Sequence, residues 1–274
     1  MPPPPQRVRF DAIGDAWRLY QADMAQWIVA VVLVVVITIV PIFIVQMVIT
    51  SIMMPGGGIF GTAGGKMGSP EALSGMRSAN LVSTFVAIPL SVCTQLLTAG
   101  LQRRALLQAR GHQTQITEIF RLDGMGLHVL AFAVLFVLIA LPMQLYFASL
   151  NDPSNPFALF EPSRMFTLCG GGLVMIALQI LLLFTPLIIV DQHLSVGQAI
   201  KKSFSTFGPQ FFPLLGVLIC TLLLAMCGGV LCGIGVLFTL PVAYTIYGVI
   251  YNDFFRPAPV GNVEQPSSWY PRQS

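Results

Sequence analysis

Charged residues divide this chain into long apolar intervals, and the lengths of these intervals predict membrane-spanning helices. Five intervals contain no charged residue, and they hold 42, 25, 28, 26 and 50 residues in chain order. A helix needs about 20 apolar residues to cross a bilayer, so the first four intervals each fit one span and the last fits two. The pattern therefore predicts six transmembrane helices, at residues 27–52, 81–102, 127–150, 168–190, 211–226 and 234–251.

The last two predicted spans share one apolar interval, and glycines mark the division between them. Residues 227–235 read CGGVLCGIG, and such a cluster is typical of a turn. The segment 211–226 is short for a full crossing. A re-entrant pair, which turns back before it crosses the membrane, therefore stays open as an alternative.

A short amphipathic segment precedes each odd-numbered span. Apolar residues recur at helical spacing in residues 10–24, 116–120 and 196–207, with charged residues between or beside them. Ser195 and Gln198 fit the capping-box pattern at the start of the third segment. Such segments are typical of helices that lie in the membrane interface with the apolar face towards lipid. Cytoplasmic helices packed on the bundle fit the same pattern, and both interpretations stay open.

Each even-numbered span contains a proline, at Pro89, Pro186 and Pro241. With the amphipathic segments, this suggests three copies of a unit made of interfacial helix, span, outer loop and span. The predicted fold class is all-α: a polytopic transmembrane helical bundle of six spans with short amphipathic interfacial helices and three helix-pair repeats. Residues 1–9 are predicted to be a Pro-rich leader, 10–255 the six-span membrane domain, and 256–274 a disordered Pro-rich tail.

The composition supports a lipid-embedded protein and argues against other classes. Hydrophobic residues make up 55% of the 274 residues, charged residues make up only 9%, and the mean hydropathy is +0.79. Soluble domains carry about 25% charged residues, so a water-facing surface built from this chain would aggregate. The net charge of +3 is too small and too dispersed to indicate nucleic-acid binding.

The distribution of Lys and Arg predicts the orientation in the membrane. Six spans place 11 of these residues on the side of both termini and 3 on the other side. Because Lys and Arg concentrate in cytoplasmic segments, we expect a multi-pass protein of the cell (cytoplasmic) membrane with both termini in the cytoplasm. The 11 residues are Arg7, Arg9, Arg18, Arg103, Arg104, Arg110, Arg121, Lys201, Lys202, Arg256 and Arg272, and the 3 are Lys66, Arg77 and Arg164.

The sequence lacks motifs for catalysis and for metal or cofactor binding. His112, His128 and His193 are far apart and fit no metal-ligand spacing. The five cysteines include no CxxC pair and lie in or beside apolar runs, where they are expected to be buried small hydrophobic side chains. We therefore expect no enzyme, no catalytic residue, no cofactor and no metal site.

Neutral polar residues within the predicted spans are the candidate functional groups. They line a polar path through the membrane or form interhelical hydrogen bonds, and the second interpretation is favoured. The absence of charged groups among them argues against a proton-coupled pump. After the fourth span, Asp191 is expected to form a structural ion pair with Lys201 or Lys202 and so to hold the third amphipathic helix on the bundle. The candidate path residues are Ser91, Thr94, Gln95, Thr98, Gln144 and Gln179.

Four segments of the chain resemble a known group of membrane proteins. They are residues 186–193 (PLIIVDQH), 199–204 (AIKKSF), 232–241 (CGIGVLFTLP) and 251–253 (YND). In these segments the chain resembles a broad family of uncharacterised prokaryotic multi-span membrane proteins, related to the membrane domain of some glycerophosphoryl diester phosphodiesterases. The resemblance is best over about residues 181–255. It implies a six-helix membrane topology and no particular reaction, and the catalytic domain of those phosphodiesterases has no counterpart in this sequence.

Three functions follow as hypotheses. The leading one is a non-enzymatic membrane component that acts by helix packing with itself or with a partner. A transporter or channel for a small or amphipathic solute is the alternative, and a lipid-modifying membrane enzyme is the weaker alternative. The expected partners are the lipid bilayer and either a second copy of the chain or another membrane protein, and no nucleic acid is expected.

Overall fold

The computed structural model describes residues 8–53, 70–122, 124–150, 161–230 and 235–255, which form an all-α bundle without β-strands. The predicted all-α class is therefore confirmed. Two 3-10 helices, Ile116–Phe120 and Gly208–Gln210, occur in the connections. The α-helices of the described residues are α1 (Ala12–Ala22), α2 (Met24–Met53), α3 (Pro70–Ala109), α4 (Gly126–Leu150), α5 (Pro162–Leu182), α6 (Thr185–Gln192), α7 (Val196–Phe207), α8 (Phe211–Val230) and α9 (Val236–Phe255).

Five segments of the described residues are long and apolar enough to cross a membrane. Large apolar side chains project outward from the helices of the bundle, and Phe166 of α5 and Phe212 of α8 are 82% and 78% exposed. Lipid can cover such side chains at no cost in free energy, because the hydrocarbon is equally apolar. In water the same side chains would drive aggregation. The chain is therefore a membrane-embedded helical protein. The five segments are Met24–Ile49, Val82–Ala109, Gly126–Ala148, Pro162–Gln192 and Val196–Gly229.

The sixth predicted span corresponds to α9, which is not among these five segments. Its threonines, tyrosines and proline, together with Asn252 and Asp253 near its end, make it less apolar than the others. Ten of its 20 residues are buried, and it packs against α1, α2, α3 and α8. A helix enclosed by other helices can carry hydroxyl and amide groups, because its neighbours satisfy their hydrogen bonds.

The pair α3 and α9 forms the centre of the bundle. A Cβ atom at Gly248 of α9 would lie 2.7 Å from the carbonyl carbon of Ala105 of α3, so only glycine fits this contact. Small residues let two helix backbones approach closely and increase their van der Waals contact. The close approach therefore fixes the position of α9 against α3, and the other helices pack around this pair.

Two predicted spans differ most from the structure in their boundaries. The second was expected at residues 81–102, but α3 begins at Pro70 and continues to Ala109, so Arg103 and Arg104 belong to a helix and not to a loop. The fourth was expected to be one helix, but α5 and α6 are separate helices on either side of residues 183–184. Pro186 lies in the first turn of α6, where its missing amide hydrogen breaks no helical hydrogen bond.

The three predicted amphipathic segments are all helical, as α1, the 3-10 helix Ile116–Phe120 and α7. The predicted capping box is present at the start of α7, where the Ser195 amide donates to Gln198 Oε1 at 3.3 Å. The two side chains of this motif satisfy amide groups that have no partner at the start of a helix. The capping box thus sets the point at which α7 begins.

The predicted apolar stripe of α1 is divided between two surfaces. Tyr20 is buried against the bundle together with the small residues Ala12 and Ala16. Phe10, just before the helix, and Trp17 are exposed. The helix therefore packs on the bundle through one face and presents a second, apolar face outward.

The first and last parts of the described chain meet at one end of the bundle. Arg9, which precedes α1, donates from Nη2 to Asp253 Oδ2 at 2.8 Å, close to the end of α9. The hydrogen bond and then the charge of Asp253 raise the pKa of the Arg9 guanidinium above its ordinary value. This contact places the start of the helical chain and the end of its last helix side by side.

Four predicted features lie outside the described residues. They are most of the N-terminal leader, the outer loop that contains Lys66, residues 231–234 of the glycine-rich turn, and the tail 256–274. These features stay predictions, as do the three helix-pair repeats.

Candidate functional site

A polar cleft lies between α3 and α4 at the level of the membrane. Ser91, Thr94 and Gln95 of α3 line it together with Gln144 of α4. Its volume is about 220 Å³, which is the space of several water molecules. The structure therefore brings together four of the six candidate path residues. The apolar part of the lining consists of Phe136, Val137 and Ala140.

The polar groups of the cleft differ in their hydrogen bonding. The hydroxyls of Ser91 and Thr94 donate to carbonyl oxygens of their own helix, at residues 87 and 90, both at 2.8 Å. Within the described part of the chain, the carboxamides of Gln95 and Gln144 make no hydrogen bond. An unsatisfied amide in an apolar environment costs about 1–3 kcal/mol. These two amides are therefore the free hydrogen-bonding capacity of the cleft.

The other two candidate path residues lie elsewhere. Thr98 shares a hydrogen bond with the hydroxyl of Tyr244, so it connects α3 to α9. Gln179 is exposed on α5 and does not line the cleft. The six residues thus divide into a cleft group, one contact between helices and one exposed amide.

A second polar cluster lies at the end of the bundle where α3 ends, around the fully buried Arg104. Its guanidinium donates to Asp23 Oδ2 at 2.8 Å and to the Gln26 carbonyl oxygen at 3.1 Å. The guanidinium carbon lies 4.8 Å from the ring centre of Trp27, and the Trp27 indole donates to Gln108 Oε1 at 2.7 Å. A buried arginine needs such partners, because an uncompensated buried charge is strongly destabilising.

Arg110, not a lysine, is the partner of Asp191. Arg110 Nη2 donates to Asp191 Oδ2 at 2.9 Å and Nη1 donates to Oδ1, which makes the pair bidentate. The Tyr251 hydroxyl donates to the same carboxylate at 3.0 Å. The expected pairing with Lys201 or Lys202 is thus replaced, because α3 extends beyond its predicted end and carries Arg110 to the end of α6.

The two lysines have other surroundings. Lys202 donates from Nζ to Gln192 Oε1, and this nitrogen lies 5.3 Å from the ring centre of Phe255. Lys201 is exposed. α7 is held on the bundle by Ser203, whose hydroxyl donates to a carbonyl oxygen at the end of α5 at 2.5 Å.

The polar cluster was missed in the sequence because residues 103–110 were assigned to a loop. A signal for the longer helix was present, since no glycine or proline occurs in residues 101–110. Gly111 follows with φ of 83°, and glycine in this conformation commonly ends a helix. Arg103, also in this segment, pairs with Glu118 at 2.9 Å.

The described residues form no metal-binding cluster, and their four cysteines are free. No three His, Cys, Asp and Glu side chains among them are close enough to hold a metal ion. Four cysteines are free thiols on the exposed surface, so the expectation that they are buried is wrong for these residues. They project from apolar helices into the region that lipid covers. They are Cys93, Cys169, Cys220 and Cys227.

Comparisons with protein-family models, with curated proteins and with solved structures found no match for this chain. Its function is therefore inferred from its own residues.

Proposed function

We propose that the chain is a six-span protein of the cell (cytoplasmic) membrane with both termini in the cytoplasm. The contact between Arg9 and Asp253 supports an even number of crossings, because it joins the segment before α2 to the end of α9. The five apolar segments are odd in number, so α9 supplies the sixth crossing. The end that carries this contact also carries most of the Lys and Arg residues, which supports a cytoplasmic position.

Within this topology, we propose a non-enzymatic membrane component that acts by packing against another helix, from a second copy or from a partner protein. The observation that carries the proposal is the pair of unpaired carboxamides, Gln95 and Gln144, in a cleft at membrane depth. Hydrocarbon has no group that can satisfy an amide. A polar side chain on a further helix can satisfy the NH₂ donors and the carbonyl acceptor of such a carboxamide.

A photoreactive amino acid tests this proposal in intact cells. It replaces Phe136 in one variant, which lines the cleft on α4 and leaves both carboxamides in place, and Leu138 in a control, which does not line the cleft. We expect a crosslink to a protein chain from position 136 and none from position 138. Replacing Gln95 with Leu in the first variant should weaken the crosslink. Crosslinks to lipid alone at both positions would contradict helix packing at this cleft.

A transporter or channel for a small or amphipathic solute is the second candidate, and the volume and mixed lining of the cleft favour it. A solute path predicts that Ser91, Thr94 and Gln95, which line the cleft on α3, meet water in some state of the protein. In a cysteine-free chain, single cysteines at these positions should then react with a membrane-impermeant thiol reagent. Labelling at all three supports the path, and failure to label along the whole face rules it out.

A further inference from the structure

We call the end of the bundle that carries the Arg9–Asp253 pair the basic end. Two cations at this end have no partner among the described residues. Arg18 of α1 and Lys201 of α7 are exposed, and neither forms an ion pair or a hydrogen bond there. Asp15 lies one helical turn before Arg18 in α1, but its carboxylate is 3.8 Å from Arg9. α7 contains no acidic residue. Both charges are therefore available to an external anion.

The other lysine and arginine side chains that the structure describes at this end are engaged. Arg104 and Arg110 are bound to carboxylates inside the bundle, and Lys202 donates to Gln192. Three more arginines also pair with acids. They are Arg9 with Asp253, and Arg103 and Arg121, which share Glu118. Among the described residues, Arg18 and Lys201 are therefore the lysine and arginine side chains of this end that are left without an acidic or hydrogen-bonding partner.

Each free cation has an exposed aromatic neighbour on its own helix. Trp17 precedes Arg18 directly and is 47% exposed, and Phe204 lies three residues after Lys201 and is 39% exposed. Both helices pack on the bundle through another, buried face, which includes Ala16 in α1 and Ala199 in α7. An aromatic ring beside a cation suits the boundary between acyl chains and headgroups, where the ring lies in apolar surroundings and the cation in polar ones.

We propose that Arg18 and Lys201 bind the phosphates of anionic phospholipids in the leaflet at this end, with Trp17 and Phe204 seated among the upper acyl chains. A phosphodiester supplies a negative counter-charge for Arg18 and Lys201, and the bilayer supplies apolar surroundings for the rings of Trp17 and Phe204. Lys and Arg close to an anionic membrane surface each contribute about 1 kcal/mol. This corresponds to about a fivefold preference for anionic over neutral lipid at each site.

Trp17 provides a built-in fluorescent probe for this site. The full-length protein is placed in phosphatidylcholine nanodiscs that contain brominated phosphatidylglycerol or brominated phosphatidylcholine at equal mole fraction. Bromine quenches a nearby indole, and the difference between the wild-type protein and Trp17→Phe isolates the contribution of Trp17. We expect stronger quenching by the brominated phosphatidylglycerol. Equal quenching by the two lipids would overturn the proposal for α1.

Three variants separate charge from structure. Arg18→Gln should reduce the preference about fivefold, and Arg18→Lys should keep most of it. Arg164→Gln removes a partly exposed cation from the other predicted side of the membrane, where it pairs with Glu161, and should leave quenching of Trp17 unchanged. If Arg164→Gln and Arg18→Gln reduce the preference equally, a general charge effect replaces the proposed site.

Lys201 is tested by counting the phosphatidylglycerol molecules that stay bound after purification from mixed lipid into mild detergent. Native mass spectrometry gives this number directly. We expect fewer retained phosphatidylglycerol molecules for Lys201→Gln than for the wild-type protein, with retention of phosphatidylcholine unchanged. An unchanged number would exclude Lys201 as a lipid ligand.

Discussion

The buried ion pair between Arg104 and Asp23 offers a direct test of the packing at the basic end. Arg104 is fully buried, while the side chain of Asp23 is 23% exposed. Asp23→Asn keeps the shape of the side chain but removes its negative charge. The guanidinium then keeps the Gln26 carbonyl oxygen and the Trp27 ring as partners but has no counter-charge.

The expected loss of stability in Asp23→Asn follows from the surroundings of Arg104. Removing one member of a buried ion pair costs about 3–5 kcal/mol, because the other charge stays buried and uncompensated. The remaining neutral partners and the partial exposure of Asp23 place this variant at about 3 kcal/mol. A matched control is Arg9→Gln, which breaks the pair with Asp253. There the arginine side chain is 51% exposed, so the expected loss is at most about 1 kcal/mol.

The free energy of unfolding is measured by denaturant titration in mixed micelles, with loss of helical circular dichroism as the signal. A second variant adds Arg104→Met to Asp23→Asn, so that no charge stays buried without a partner. We expect the double variant to be more stable than Asp23→Asn alone, since the apolar replacement removes the uncompensated charge. If Asp23→Asn destabilises the protein no more than Arg9→Gln does, the assignment of Arg104 as a buried, charge-paired residue is refuted.

Four further substitutions test the packing and capping of individual residues, with the free energy of unfolding measured in the same titration. Gly248→Ala should cost about 1–3 kcal/mol, because its new methyl group would collide with the Ala105 backbone. Gly14→Ala in α1 is the control: its methyl group would meet no atom within 4 Å, and it should gain about 0.5–1 kcal/mol from helix propensity. Tyr20→Phe should be neutral or stabilising, because the Tyr20 hydroxyl is buried without a hydrogen-bond partner in the described structure and burial raises its pKa; a clear loss would reveal an unseen partner. Ser195→Ala should cost about 1 kcal/mol through loss of the capping box at the start of α7.

Much of the fold was predictable, because the membrane imposes a simple length requirement on apolar helices. The charge-free intervals predicted α2, α3, α4 and α8, and the spacing of Ser195 and Gln198 predicted the start of α7. The break between α5 and α6 was missed, since Pro186 was interpreted as a proline inside a span. A proline inside a span and a proline in the first turn of a new helix are the same residue in the sequence, and only the packing around them distinguishes the two cases.

The candidate site was predictable only in part. The sequence identified Ser91, Thr94 and Gln95 in the second predicted span and Gln144 in the third, and the structure brings these four together. The partner of Asp191 was not predictable, because Arg110 is 81 residues away in sequence and reaches the carboxylate only through the length of α3. Pairing between distant residues depends on how the helices pack, which local patterns do not encode.

The central claim, that six crossings place both termini on one side of the membrane, is tested by labelling the two ends. In a cysteine-free chain, Gln6→Cys and Ser267→Cys are made separately and exposed to a membrane-impermeant maleimide in right-side-out and inverted membrane vesicles. We predict that both cysteines react only in inverted vesicles. Reaction of the two cysteines from opposite sides would mean an odd number of crossings, and α9 would then not span the membrane.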